Sequence, residues 1–142
     1  WYRFTQNDMS LDSPVVGSQV VDAINPGQRP SLRSVVGYTP ESYTVHYIRD
    51  DVSDQYTESE IETAIEELRL ATIERTHLND VFKEVHGEFR CNIIAFEEAI
   101  ELNFVLGDGT GIEIAFDEDC FTEQEAIISE VQAVLTETTI QE

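Results

Sequence analysis

The stretch IELNFVLGDGTGIEIAF, residues 100–116, decides how the chain is read. Ile100, Leu102, Phe104 and Leu106 alternate with Glu101, Asn103 and Val105. Beyond the glycines, Ile112, Ile114 and Phe116 alternate with Glu113 and Ala115. A period of two belongs to a strand, and Asp-Gly between two alternating runs is a hairpin signal. The other chemistries that Gly107-Asp108-Gly109-Thr110-Gly111 suggests do not fit. A phosphate cradle opens a helix, with a lysine in its P-loop form; here a strand follows, and the single lysine is Lys83. An EF-hand needs oxygen ligands at alternate positions around a glycine, a pattern that Asp108 and Thr110 do not continue. The loop is therefore read as a turn. The face carrying Glu101, Asn103 and Glu113 is expected to be solvated.

Working outward, Phe89, Cys91, Ile93 and Ala95 alternate with Arg90, Asn92, Ile94 and Phe96, a third strand of the same meander. Before it lies TESEIETAIEELRLATIERTHLNDVFKEV, residues 57–85. Thr57 and Glu60 form a capping box, with Tyr56 and Ile61 placed as its hydrophobic staple. Ile61, Ala64, Ile65, Leu68 and Ala71 recur at helical spacing, the register breaks near Thr76, and Leu78, Val81, Phe82 and Val85 make a second stripe. Two consecutive helices or one bent helix are expected, ended by Gly87.

Further upstream, residues 32–51 read as a hairpin turning at TPES. Tyr43, Val45 and Tyr47 would share one face, and Thr44, His46 and Ile48 the other. A first helix starts at Ser13 and Pro14, carries Val16, Val20 and Ile24, and ends at Asn25-Pro26. A last helix is capped by Thr122 with Glu125, stapled by Phe121 and Ala126, and made apolar by Ile127, Ile128, Val131, Val134 and Leu135.

The expected class is α+β: a five-stranded antiparallel sheet packed with helices, in the order α-ββ-α(α)-βββ-α. This order, over residues 13–136, resembles the roadblock and profilin-like architecture, in which a middle helix divides a hairpin from a three-stranded meander. The box Tyr47-x-Arg49-Asp50-Asp51-Val52, the acidic helix ending EELRL, and IAFEEAIELNF with GTGIEIAFDED are similar to a small haloarchaeal family of unassigned function. That likeness runs from Val35 to Leu135 and implies no catalytic residues. The architecture implies a scaffold that dimerises through a sheet edge and a helix. The strand Leu32–Tyr38, read as an edge, and the apolar side of the last helix are the surfaces expected to serve.

Charge sets the environment. Twenty-nine acidic residues against eight basic ones leave a net charge of -21. Self-repulsion on that scale opposes compaction in dilute buffer. It is screened when the Debye length falls to about 3 Å near molar salt. A halophilic, cytoplasmic protein is expected. Nucleic-acid binding is not, because it needs a basic stripe. No apolar run is long enough to span a membrane. Residues 1–12, with WYRFTQND ahead of Met9, are expected to be an appended or flexible extension; residues 13–136 one domain; and residues 137–142 a tail.

Candidate chemistry is thin. Asp50, Asp51 and Asp54 are weak candidates for a hard cation, set against a solvated acidic loop at a helix start. Cys91 and Cys120 have no metal-ligand spacing. Asp117, Glu118 and Asp119 oppose thiolate formation at Cys120. His46, His77 and His86 are dispersed, and no Gly-x-Ser-x-Gly, His-Glu-x-x-His or dinucleotide fingerprint occurs. No catalytic residue, cofactor or metal is assigned. The first expectation is a non-enzymatic regulatory or adaptor domain whose partners are a second copy of itself and another protein. The alternative is a small-ligand sensor of the PAS or profilin-like kind, its pocket lined by Tyr43, Tyr47, Phe89 and Phe104. An enzyme using Cys91 or Cys120 with a histidine ranks third.

Overall fold

The computed structural model describes residues 14–119 and 124–140. Ser13, Cys120, Phe121, Thr122, the side chain of Glu125 and the N-terminal extension lie outside what it describes. The elements are α1 (Pro14–Ile24), β1 (Leu32–Tyr38), β2 (Tyr43–Ile48), the short α2 (Asp50–Ser53), α3 (Glu58–His86), β3 (Asn92–Ala95), β4 (Ile100–Gly107), β5 (Thr110–Phe116) and α4 (Gln124–Ile140). The strands form one antiparallel sheet in the order β2-β1-β5-β4-β3. The expected class and element order are those observed.

One face of the sheet is the core. Val35 of β1, Ile100, Leu102 and Phe104 of β4, and Ile112, Ile114 and Phe116 of β5 meet Val16, Val20 and Ile24 of α1. Ile127, Val131 and Leu135 of α4 complete the cluster. Burying each such side chain is worth about 1.5–3 kcal/mol, so this face carries most of the stability. Helix α1 comes close enough to β2 that a Cβ on Gly17 would run into the ring of His46. Glycine is required there by space.

Helix α3 crosses the other face. Its capping box is formed: the Glu60 N–H donates to Thr57 Oγ1 at 3.1 Å, and the Thr57 N–H donates to Glu60 Oε1 at 2.8 Å. Polar bonds then tie the helix to both hairpin turns. The Gly109 N–H donates to the buried Thr72 hydroxyl at 2.7 Å, and that hydroxyl donates to the Arg69 carbonyl at 2.6 Å. Arg69 donates to the carbonyls of Thr39 at 2.7 Å and Ser42 at 3.0 Å. Gly109 has φ +73°, a conformation that favours glycine, and it packs against Pro40 of the other turn. Residues 107–111 are thus a hairpin turn, and Thr72 and Arg69 fasten it and its neighbour to the helix.

Of the two forms expected for residues 57–85, the single helix is observed: α3 is continuous over 29 residues, with no glycine or proline to interrupt residues 58–86. What changes near Thr76 is the face: the apolar stripe moves about a quarter-turn round the helix. Four expectations need correction. Strand β1 is no edge, since it pairs with β2 on one side and β5 on the other. The apolar side of α4 is spent in the core. Tyr47 does not share a face with Tyr43 and Val45, because the pairing steps from Val36–Val45 to Val35–Tyr47. The extra residue, His46, is a bulge that reverses the alternation. Finally, the Glu101–Asn103–Glu113 face is not solvated: Asn103 and Glu113 are buried, Asn103 accepting the Tyr38 hydroxyl at 2.7 Å.

Candidate functional site

Two features of the α3 side of the molecule stand out. The first is exposed apolar surface. Leu70, Ile73, Val81, Phe82 and Val85 on α3 are all exposed, Val85 at 80%. At 100° per residue, Leu70, Val81 and Val85 fall on the side of the helix away from Ile65 and Thr72, which are buried against the sheet, and Ile73 falls on its flank. Strand β3 stands at the sheet edge, paired only with β4 among the described residues. Ile93 and Ile94 there, and Phe96 just beyond it, are exposed too. Ile94, paired with Glu101, lies on the α3 side, whereas Ile93, paired with core Leu102, points to the α1 and α4 side. Exposed apolar side chains on one helix and beside an open edge strand make both candidates for contact surfaces.

The second feature is a cleft of about 360 Å³ between the first half of α3 and the sheet. Val36, Val45, Ile48, Ile65 and Leu68 give it apolar walls, and Glu101 and Glu113 stand in its floor. A wider groove beside it is bordered by Tyr43, Glu41, Glu62, Glu66 and Glu67. The two share Val45, Ile65 and Glu67 as walls. Burial and the neighbouring Glu101 push the Glu113 carboxyl well above its ordinary range.

The aromatic set expected to line one pocket does not converge. Tyr43 borders the wider groove, whereas Tyr47 and Phe104 belong to the core under α1 and α4. Phe89 sits beyond α3 in a shallow depression with Phe82 and His86. The bulge at His46 is what sends Tyr47 to the far face.

The acidic loop has a structural occupation. All five N–H groups of Arg49 are used. Nε and Nη2 donate to Asp51 at 2.6 and 3.1 Å, Nη1 and Nη2 to Asp117 at 2.8 and 3.0 Å, and Nη1 also to the Pro30 carbonyl at 2.8 Å. Arg33 adds a bond to Asp117 at 3.1 Å. These arginines hold the Asp51 and Asp117 carboxyls below their usual range. The box around Arg49 is thus a bidentate clamp joining the end of β2 to the end of β5. Its partners Arg33 and Asp117 were not legible, because they meet only through the β1–β5 pairing. Asp50 and Asp54 are exposed, and among the described residues no three His, Cys, Asp or Glu side chains gather as a metal site.

Cys91 is half-buried, and its burial pushes the thiol up to about 11, away from the thiolate that a nucleophile needs. His46 is half-buried beside α1, and that burial lowers its pKa. His86 stacks on Phe82 at 5.6 Å.

No helix among the described residues is long and apolar enough to cross a membrane. No curated protein matches the chain. Among solved structures it is similar to the roadblock/LC7 domain from Streptomyces avermitilis, with a TM-score of 0.51 and 15% identity over 92% of this chain and 97% of that one. At that identity the likeness speaks for the fold alone. At the level of sequence, residues 18–136 match the model of a domain of unknown function, DUF7522, and the chain belongs to that family.

Proposed function

We propose that this protein is a non-enzymatic regulatory or adaptor domain that works as a homodimer in the salt-rich cytoplasm of a halophilic archaeon. The observation that carries the reading is exposed apolar surface on the α3 side: Leu70, Ile73, Val81 and Val85 on α3, with Ile94 on the open edge strand β3 and Phe96 just after it. A two-fold axis beside β3 would pair that strand with its own copy and bring the two α3 helices together. The result is a self-complementary interface of the isologous kind. The roadblock-like fold and the raised thiol of Cys91 agree with an interaction role over a catalytic one. The charge of -21 supports the saline setting.

The test is capture of tagged protein from a halophilic host in molar KCl, comparing wild type with Val85→Asp. The reading expects a protein partner at stoichiometric yield with the wild type and its loss with the variant. A partner held equally by both would sink the role given to this surface, and recovery of wild type with no partner would sink the adaptor role.

A further inference from the structure

Glu113 is out of keeping with its surroundings. It is 8% exposed, stands on the central strand β5, and faces the apolar cleft under α3. Its Oε1 has no hydrogen-bond partner. A buried polar atom without a partner costs about 1–3 kcal/mol, so a chain that keeps one has left an acceptor open. The side chain that does reach it is another carboxyl, Glu101 of β4.

Neither nearby arginine takes the vacancy. Arg33, at the cleft wall, is engaged by Asp117 and Gln55, and Arg69 by the Thr39 and Ser42 carbonyls and Glu66. Glu41, Glu62, Glu66 and Glu67 border the adjoining groove, a negative approach that concentrates cations. At the ~30 Å³ that a water occupies in the liquid, the cleft has room for about a dozen non-hydrogen atoms.

We propose that this cleft is a binding site for a small cationic amphiphile, an alkylammonium-type amine whose head group bonds to Glu113 and Glu101. Its chain lies against Val36, Val45, Ile48, Ile65 and Leu68. The ammonium supplies the donors that Oε1 lacks and brings a positive charge between two carboxyls. Burial and the neighbouring Glu101 favour the protonated form of Glu113. Binding therefore releases that proton to solvent. The other titratable and charged groups around Glu113 are Arg33 and Tyr38 from β1, Glu67 and Arg69 from α3, and Tyr56 ahead of α3. The site does not depend on the dimer.

The experiment titrates hexylammonium, hexanol and hexanoate into the full chain in molar KCl. Amide shifts by NMR and calorimetry in two buffers of different ionisation enthalpy supply the readouts. Hexylammonium is expected to saturate, shifting the amides of Val36, Glu101 and Glu113 and releasing a proton. Hexanol should bind at least about tenfold more weakly, and hexanoate not at all. Glu113→Gln should weaken the amine by about tenfold or more, as loss of a hydrogen bond to a charged group does, and should abolish proton release. Ala115→Leu, which fills the cleft from the sheet side, should remove binding while Glu113 stays in place. If Glu113→Gln fails to fold, Glu101→Gln carries the same comparison. No saturation by hexylammonium, equal binding of amine and alcohol, or an amine affinity unchanged by the Gln variant and by Ala115→Leu would each overturn the site.

Discussion

At the scale of single residues, two carboxylates with opposite perturbations govern the response to pH. Arg49 and Arg33 hold Asp117 below its ordinary range. The folded chain gives up that proton more readily than the unfolded one, so the clamp stabilises above the unfolded value and its contribution is lost as pH falls through the folded value. Glu113 works the other way. Its folded value lies well above 4.5, so the folded chain keeps the proton longer. Its favourable state is complete below the unfolded value, and stability drains away as pH rises through the folded one. Glu113→Gln is therefore expected to flatten the decline in melting temperature on the alkaline side of pH 4.5 while leaving in place the acid limb, to which Asp117, Asp51 and Glu130 contribute. Melting curves across the pH range decide this: an alkaline slope identical in wild type and variant would remove Glu113 from the account.

At the scale of elements, α3 is the part most worth explaining. Its start was plain in the sequence, because Thr57 and Glu60 advertise a capping box three residues apart. Its unity was less plain, since a stripe that changes face imitates a break between two helices. The strands Ile100–Gly107 and Thr110–Phe116 were legible from alternation alone. What alternation concealed was the bulge at His46, because one extra residue in a strand leaves no mark on composition and yet reverses every later side chain. The clamp at Arg49 was half legible. Its arginine and Asp51 stand together in the chain, whereas Asp117 arrives from β5. The cleft was not legible at all, for Glu101 and Glu113 looked like the wet face of a hairpin until α3 covered them.

The fastening of α3 can be measured. Thr72→Val keeps the side chain's shape and removes the hydroxyl that joins the Arg69 carbonyl to the Gly109 N–H. Leaving the Gly109 N–H buried without that acceptor should cost about 1–3 kcal/mol in urea unfolding. A variant within about 0.5 kcal/mol of wild type would mean that the Thr72 hydroxyl contributes little and that Arg69 and the apolar contacts hold the helix.

At the scale of the whole molecule, the two faces of the sheet divide the labour. The α1 and α4 face is a closed apolar core, and α3 leaves on the other side both a cleft and an uncovered apolar stripe. A chain with a net charge of -21 does not expose Val85 at 80% and Phe96 at 55% without consequence for association. In dilute buffer, repulsion between two such chains opposes contact; at molar salt it is screened and the apolar term prevails. On the reading proposed above, the working unit is a pair. Sedimentation equilibrium in molar KCl over a wide range of concentration tests it most directly. The account predicts twice the 16.1 kDa chain mass for wild type and a shift to the single-chain mass for Val85→Asp with an unchanged circular dichroism spectrum. A wild type that stays at 16.1 kDa throughout would contradict it.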